Sequence, residues 1–203
     1  MQYILVIILS YILGSSNMAK YIATVKKVDL KSGGSGNLGA SNAVILMGWS
    51  AGVLTALHDI GKSALAVVLA RMVFPDLPLI GAAAGVASVL GHIYPFWMKF
   101  RGGKGFASYL GMTIALNWKF AIAVLLLVVL VTWITDYIVA ATTTTIIIVP
   151  IGLGLLTQSL LLPLVLLVAS LVIAWKHKDN YVRMYKGTEI GFRKAGRGDY
   201  RVK

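Results

Sequence analysis

The chain has 203 residues, 58% hydrophobic and 13% charged, with 19 Lys and Arg against 7 Asp and Glu and no cysteine. A soluble domain carries nearly twice that charged fraction, and together with a mean hydropathy of +0.82 this excludes a soluble globular protein. The lack of Cys also removes disulfides, thiolate metal sites, a thiol nucleophile and Cys-anchored lipid.

The first apolar segment, about residues 2–19, has no basic n-region and no small-residue cleavage site after it. It therefore reads as a retained helix rather than a signal peptide. A basic stretch follows with Lys20, Lys26, Lys27 and Lys31. Residues 43–74 are apolar again. A straight helix of that length would reach about 48 Å, longer than a hydrocarbon core of about 30 Å. This piece is expected to be tilted or broken near His58–Lys62 and to end at Pro75-Asp76-Leu77-Pro78.

Segment 79–98 leads to a second basic stretch, Lys99, Arg101 and Lys104, and four further pieces follow at about 106–117, 119–134, 137–156 and 160–176. Asn117, Thr135-Asp136 and Thr157-Gln158-Ser159 supply the breaks between them. The tail from Lys176 holds most of the remaining cations; only Lys62, Arg71 and Lys119 lie outside the three basic stretches. The positive-inside rule puts all three stretches on the cytoplasmic side. The expectation is an all-α integral membrane protein of about seven transmembrane helices, some short or broken, with the N-terminus outside and the C-terminus inside. Residues 1–189 form the membrane-embedded domain, and 190–203 a basic cytoplasmic tail meeting anionic lipid.

Four polar constellations interrupt this pattern. Gly33-Gly34-Ser35-Gly36-Asn37-Leu38-Gly39-Ala40-Ser41-Asn42 contains a literal G-x-G-x-x-G, but no strand precedes it and no βαβ unit is readable, so a dinucleotide fold is not implied. Glycines still let backbone N–H groups approach an anion, and a helix opening near Ser41-Asn42 adds positive potential. The plain alternative is a flexible loop with an Asn cap. Lys99-Phe100-Arg101-Gly102-Gly103-Lys104-Gly105 lacks the upstream Gly of a Walker A loop, having Met98 there. Its three glycines around Lys104 suit a nest of N–H groups aimed at phosphate, against the alternative of a loop that only anchors topology.

His177-Lys178-Asp179-Asn180 with Arg183 and Gly187-Thr188-Glu189 forms the third. On a continued helix, His177, Asn180 and Arg183 share a face, with His177 a candidate base; the alternative is a solvated amphipathic tail on anionic lipid. The fourth lies within apolar runs: His58, Asp59, Lys62 and His92. Ionisable groups there are expensive and either functional or paired; Asp59 and Lys62, three residues apart, read as a structural ion pair. Thr142–Thr145 either donate hydroxyls to a site or bond their own helix carbonyls. There is no H-E-x-x-H, no G-x-S-x-G and no His with an Asp five residues on, so metalloprotease, serine hydrolase and His/Asp-type acyltransferase lose their signatures.

In this order, the Gly34–Asn42 motif, Gly91-His92…Pro95…Phe100-Arg101-Gly102-Gly103-Lys104-Gly105, His177–Asn180 with Arg183 and Gly187-Thr188-Glu189, and Asp59…Lys62 resemble the bacterial acyl-phosphate:glycerol-3-phosphate acyltransferase family (PlsY type), over about Gly14 to Glu189. The resemblance implies a seven-helix enzyme of the cell membrane with its site facing the cytoplasm. It would move a fatty acyl group from acyl phosphate to the sn-1 hydroxyl of glycerol 3-phosphate, giving lysophosphatidic acid and phosphate, with no metal, CoA or acyl-carrier protein.

By motif, the implied catalytic residues are Ser35, Asn37, Lys104, His177 and Asn180. The implied substrate-binding set is Gly34, Gly36, Gly39, Ser41, Asn42, His92, Arg101, Gly102, Gly103, Gly105, Arg183 and Glu189. Acyl phosphate is already activated, so positioning and charge stabilisation suffice without a covalent nucleophile.

The chain departs from the family pattern at several points. Ala43-Val44-Ile45-Leu46 stands where an Arg is usual, and Ser41 where Thr is. Asp136-Tyr137-Ile138-Val139 replaces Arg-Tyr-Val-Ser, Gly14-Ser15-Ser16-Asn17 replaces Gly-Ser-x-Pro, and Ser63 replaces a Gly. Two other readings stay open: a diverged relative using another phosphate-bearing acceptor or acyl donor, and a non-catalytic anion-binding membrane protein or transporter. Broken helices suit a transporter, but the glycine–basic motifs all fall on one face and no matching broken segment is found in the two halves. Nucleic acid is disfavoured because the cations flank membrane segments without interleaved aromatics.

Overall fold

The structure, a computed structural model, describes residues 1–197, and the regular elements among them are all helical. They fall into two compact units, Met1–Leu116 and Asn117–Lys203, a division the hydrophobic pattern does not announce.

The first unit contains α1 (Gln2–Gly14), α2 (Met18–Lys26), α3 (Ala40–Met47), α4 (Trp49–Val73), α5 (Ile80–Ile93), a 3₁₀ turn (Phe96–Met98) and α6 (Phe106–Leu116). Helix α5 is its centre, with 12 of its 14 residues buried, and it packs against α1, α4 and α6. Its small residues make that possible. A Cβ at Gly91 would lie 2.2 Å from the Tyr11 carbonyl oxygen, and one at Gly14 would lie 2.1 Å from that of Ser88. The α1 and α5 backbones thus meet directly, the small-residue contact by which helices associate in lipid. Ser63, where a Gly is usual in the family pattern, bonds Ser88 of α5 hydroxyl to hydroxyl at 2.8 Å.

The second unit contains α7 (Trp118–Thr135), α8 (Ile138–Thr157), α9 (Leu161–Lys176), α10 (Lys178–Tyr185) and α11 (Phe192–Arg197). The turn signals act as read: Asn117 caps α7 through Phe120 N at 3.0 Å, and Asp136 and Gln158 adopt the left-handed conformation that ends α7 and α8. Each hydroxyl of Thr142–Thr145 bonds the carbonyl four residues back, at 2.8–3.0 Å, so the backbone-bonding reading of this run holds.

Among the described residues, five helical segments are long and apolar enough to cross a membrane, six if the bent pair α9–α10 is one span. Leu, Ile, Val and Trp side chains along α1, α4, α7, α8 and α9 are exposed, as lipid-facing surfaces require. The chain is a multi-pass membrane protein. The expected count of seven is higher because it includes 106–117, whose helix α6 has 11 residues and spans only about 16 Å.

Two expectations are corrected. The long apolar run 43–74 breaks at Gly48 (φ +90°, ψ 171°), and α4 then runs unbroken for 25 residues through His58–Lys62. The charged side chains there find partners, so the backbone has no need to open. The continued helix expected to carry His177, Asn180 and Arg183 on one face instead bends by 49° between α9 and α10. The tail expected at 190–203 lies in the second unit as far as it is described; residues 198–203 lie outside the described residues.

The α1–α5 contact makes a paired prediction. Gly91→Ala should lower the thermal unfolding midpoint of the detergent-solubilised protein by several degrees. Gly61→Ala, where nothing lies within 4 Å of the new methyl, should leave or raise it, since Ala favours a helix over Gly by about 1 kcal/mol.

Candidate active site

The first glycine loop joins α2 to α3 and is organised by two buried asparagines. Asn42, in the first turn of α3, accepts from Ser35 N (2.8 Å) and donates through Nδ2 to the Leu30 carbonyl (2.8 Å). Asn17 accepts from Lys20 N (2.8 Å), capping α2, and donates to the Leu38 carbonyl (3.0 Å). Asn17 stands at the position where the family pattern has Pro. It is a site-building residue that sequence reasoning missed, because its second partner lies 21 residues away.

Gly34 and Gly36 have φ of +58° and +66°, and a Cβ at Gly34 would sit 2.2 Å from Asn42 Oδ1. The loop is therefore tied down, not flexible. Ser35, Gly34, Gly36 and Ser41 are exposed and Asn37 half-buried. Helix α3 starts at Ala40 with Gly39 as its N-cap and no side-chain cap. Asn42, expected as a cap or a substrate contact, does not cap α3 and holds the loop.

The second loop lies flat on the end of α5. Gly102 N donates to the Ile93 carbonyl (3.0 Å) and Gly103 N to the His92 carbonyl (3.2 Å). This corrects the expected nest: two of its three N–H groups serve the fold. The glycines are there for space, since a Cβ at Gly102 would lie 2.0 Å from the His92 carbonyl oxygen and one at Gly103 2.1 Å from His92 Nε2. Gly105, with φ of +94°, turns the chain into α6. Lys104 is half-buried and Arg101 exposed. Just beyond, the hydroxyl of Ser108 is fully buried with no hydrogen-bond partner among the described residues. Its sequence context, one small residue in a helix, offers no signal.

Beneath this loop the intramembrane charges converge. The Asp59 carboxylate meets Lys62 Nζ at 2.8 Å, His92 Nδ1 at 3.2 Å and His58 Nδ1 at 3.5 Å. Lys62 Nζ also donates to the Ser16 carbonyl (2.6 Å) and lies 3.0 Å from His92 Nδ1, while the Ser16 hydroxyl pairs with His58 Nε2 at 2.9 Å. Asp59 and Lys62 do form the expected ion pair. His92, expected to contact substrate, bridges that pair and Gly103.

In the second unit, His177 closes α9. Its Nδ1 lies 2.8 Å from the Ile173 carbonyl, and a carbonyl only accepts, so Nδ1 carries the proton and Nε2 is the basic nitrogen of the neutral ring. Beyond it the chain turns at Gly187 (φ +67°), with Thr188 N and Glu189 N both donating to the Arg183 carbonyl. That turn brings the Glu189 carboxylate back onto Asn180 Nδ2 (2.5 Å) and Arg183 Nε (2.6 Å). Tyr181 ties the same helix to Thr143 of α8 at 3.1 Å. The predicted residues thus assemble in separate groups: Ser35 with Asn42, the glycines 102 and 103 with His92, Asp59 and Lys62, and Asn180 with Arg183 and Glu189.

The buried pair should be sensitive to losing one member. Asp59→Ala leaves the Lys62 charge uncompensated and should cost about 3–5 kcal/mol, read as loss of folded protein in detergent. The double change Asp59→Leu with Lys62→Met should recover most of that stability.

The chain is similar to known proteins over nearly its whole length. A model of the glycerol-3-phosphate acyltransferase family matches residues 4–187. The chain is 35% identical over 191 residues to a glycerol-3-phosphate acyltransferase of Prochlorococcus marinus (strain MIT 9301), covering 92% of this chain and 95% of the relative. It is 37% identical over 191 residues to one of Coxiella burnetii (strain CbuG_Q212), covering 93% and 97%. Its fold is similar to the crystal structure of PlsY (YgiH), an integral membrane glycerol 3-phosphate acyltransferase, in the glycerol 3-phosphate form, with a TM-score of 0.90, 30% identity and coverage of 97% and 98%. A second PlsY structure, the lysophosphatidic acid form, gives 0.86 at 29% identity, covering 96% of this chain and 98% of that one. Matched by the family model over residues 4–187 and by relatives at 35% and 37% identity over nearly their whole length, the chain belongs to the glycerol-3-phosphate acyltransferase family.

Proposed function

We propose that this protein transfers a fatty acyl group from acyl phosphate to the sn-1 hydroxyl of glycerol 3-phosphate, releasing lysophosphatidic acid and inorganic phosphate for phospholipid synthesis. The observation that carries the reading is the end-to-end likeness to PlsY in its glycerol 3-phosphate form. The three basic stretches support a site facing the cytoplasm, with the N-terminus outside and the C-terminus inside the cell membrane.

The acceptor hydroxyl attacks the acyl carbonyl carbon and its proton passes to His177 Nε2; the bond from that carbon to the phosphate oxygen breaks and phosphate leaves. The Ile173 carbonyl supports this role by holding the ring in the tautomer that can accept. Lys104, Arg101 and Arg183 supply positive charge for two phosphates, and Ser35, Asn37 and Asn180 supply hydrogen bonds. Gly105 N–H and the buried Ser108 hydroxyl add donors beside Lys104. Asp59, Lys62 and His92 act at one remove, as the support of the Gly102–Gly103 loop. The exposed apolar helices suit an acyl chain and a lipid product that leaves sideways into the bilayer.

A second reading, a relative with a different phosphate-bearing acceptor, is favoured by one observation: α3 carries no cation where the family pattern has Arg. Purified protein in detergent, given palmitoyl phosphate and glycerol 3-phosphate, should form lysophosphatidic acid. Lys104→Ala and His177→Ala should each lower kcat/KM by about 10²–10⁴-fold without lowering the thermal unfolding midpoint. No product with glycerol 3-phosphate, but product with another three-carbon hydroxy phosphate, selects the second reading.

A further inference from the structure

The segment that follows α10 is held at both ends. At its start, the Glu189 carboxylate bridges Asn180 and Arg183. At its end, Phe192 N donates to the Asp136 carbonyl (2.7 Å) and Arg193 N to the Asp136 carboxylate (2.8 Å). The Arg193 side chain donates to the Trp133 carbonyl (2.7 Å), its Nε lies 4.0 Å from the same carboxylate, and its guanidinium lies over the Trp133 ring at 5.6 Å. Gly191, between the two anchors, is buried, and a Cβ there would meet Asp136 Oδ2 at 2.1 Å. Two residues separate Glu189 from Phe192, and each adds at most about 3.6 Å of reach. The anchors therefore have little slack between them.

Building on the proposed reaction, we infer that Asp136 and Arg193 are positioning residues: they latch residues 191–193 to the α7–α8 corner and so hold Glu189 where it aims Asn180 and Arg183 at the acceptor. A carboxylate only accepts, so its contact with Asn180 Nδ2 fixes which end of the amide faces the other way, as an acceptor for a hydroxyl. Its contact with Arg183 Nε sets the plane of the guanidinium. Asp136 stands where the family pattern has Arg, and the tail supplies an Arg in return. The basic tail is thus part of the site's scaffold as far as Arg193, not only a membrane contact. The pair itself is half-exposed, so the latch is a modest device whose loss loosens geometry without unfolding the bundle.

The test is steady-state kinetics of the full chain in detergent. Asp136→Ala and Arg193→Ala should each raise KM for glycerol 3-phosphate about three- to tenfold, with kcat within twofold; the thermal midpoint should be unchanged in Arg193→Ala and lowered only by the left-handed strain of Ala at position 136 in Asp136→Ala. The double variant should be no worse than either single one, because both break the same latch. Asp136→Asn, which keeps the acceptor for Arg193 N and tolerates the left-handed conformation, should stay near the parent. Unchanged KM in both alanine variants, additive effects, or an equal loss in Asp136→Asn would each overturn the proposal. Trypsin cleavage after Arg193 and Lys194 reads the latch independently of activity: it should accelerate in Asp136→Ala, and an unchanged rate would also overturn it. A parent protein that makes no lysophosphatidic acid yet shows the accelerated cleavage would count against the reaction and leave the latch standing.

Discussion

A carboxylate without water must be answered by its neighbours, and in the first unit that demand falls on Asp59. Three side-chain nitrogens, from Lys62, His92 and His58, surround it, and Ser16, just beyond α1, closes the ring through Lys62 and His58. Helices α4 and α5 and the turn after α1 are therefore fastened at one point by groups that cannot be left unpaired in a low-dielectric interior. The same point carries the second glycine loop, because the His92 ring lies directly under Gly103. Stability and the placing of Lys104 thus share one device.

The glycines of this family motif do different work from what their count suggests. Gly102 and Gly103 are small because the loop rests on α5, with their N–H groups taken by its last carbonyls. Gly34 and Gly36 turn the first loop, whose shape comes from buried amides: Asn42 and Asn17 bond backbone groups of a segment with no regular structure of its own. A buried amide that meets both a donor and an acceptor is well satisfied and gives one geometry rather than many. Ser35, Ser41 and Arg101 remain exposed on this framework.

The second unit solves a related problem with a turn. A straight helix through His177, Asn180 and Arg183 would have presented them along one face to water or lipid. The bend after Lys176 and the return at Gly187 bring an acid, Glu189, onto the amide and the guanidinium. His177 is oriented separately, by a carbonyl of its own helix. His177 is thus set by short-range backbone geometry, whereas Asn180 and Arg183 are met by an acid from the segment that follows α10.

Composition by itself determined the membrane class and the helical content, because burial in lipid demands long apolar runs and satisfied backbones. Local turn chemistry determined the breaks at Asn117, Asp136 and Gln158, and motif order identified the family. Spacing in sequence also disclosed the Asp59–Lys62 pair, one helical turn apart. Only the tertiary structure decided that the apolar run breaks at Gly48 and that α4 then runs unbroken through those charges, since whether a buried charge opens a helix depends on partners 30 or more residues away. It also decided that His92 lies against Gly103 and that Asn42 bonds Ser35 and Leu30. It decided too that Gly102 and Gly103 give their N–H groups to the fold, that Asn17 bonds Leu38, and that Asp136 meets Phe192 and Arg193. Each of these rests on a hydrogen bond or close approach between distant residues, and nothing in a local pattern specifies which distant atom will be within 3 Å.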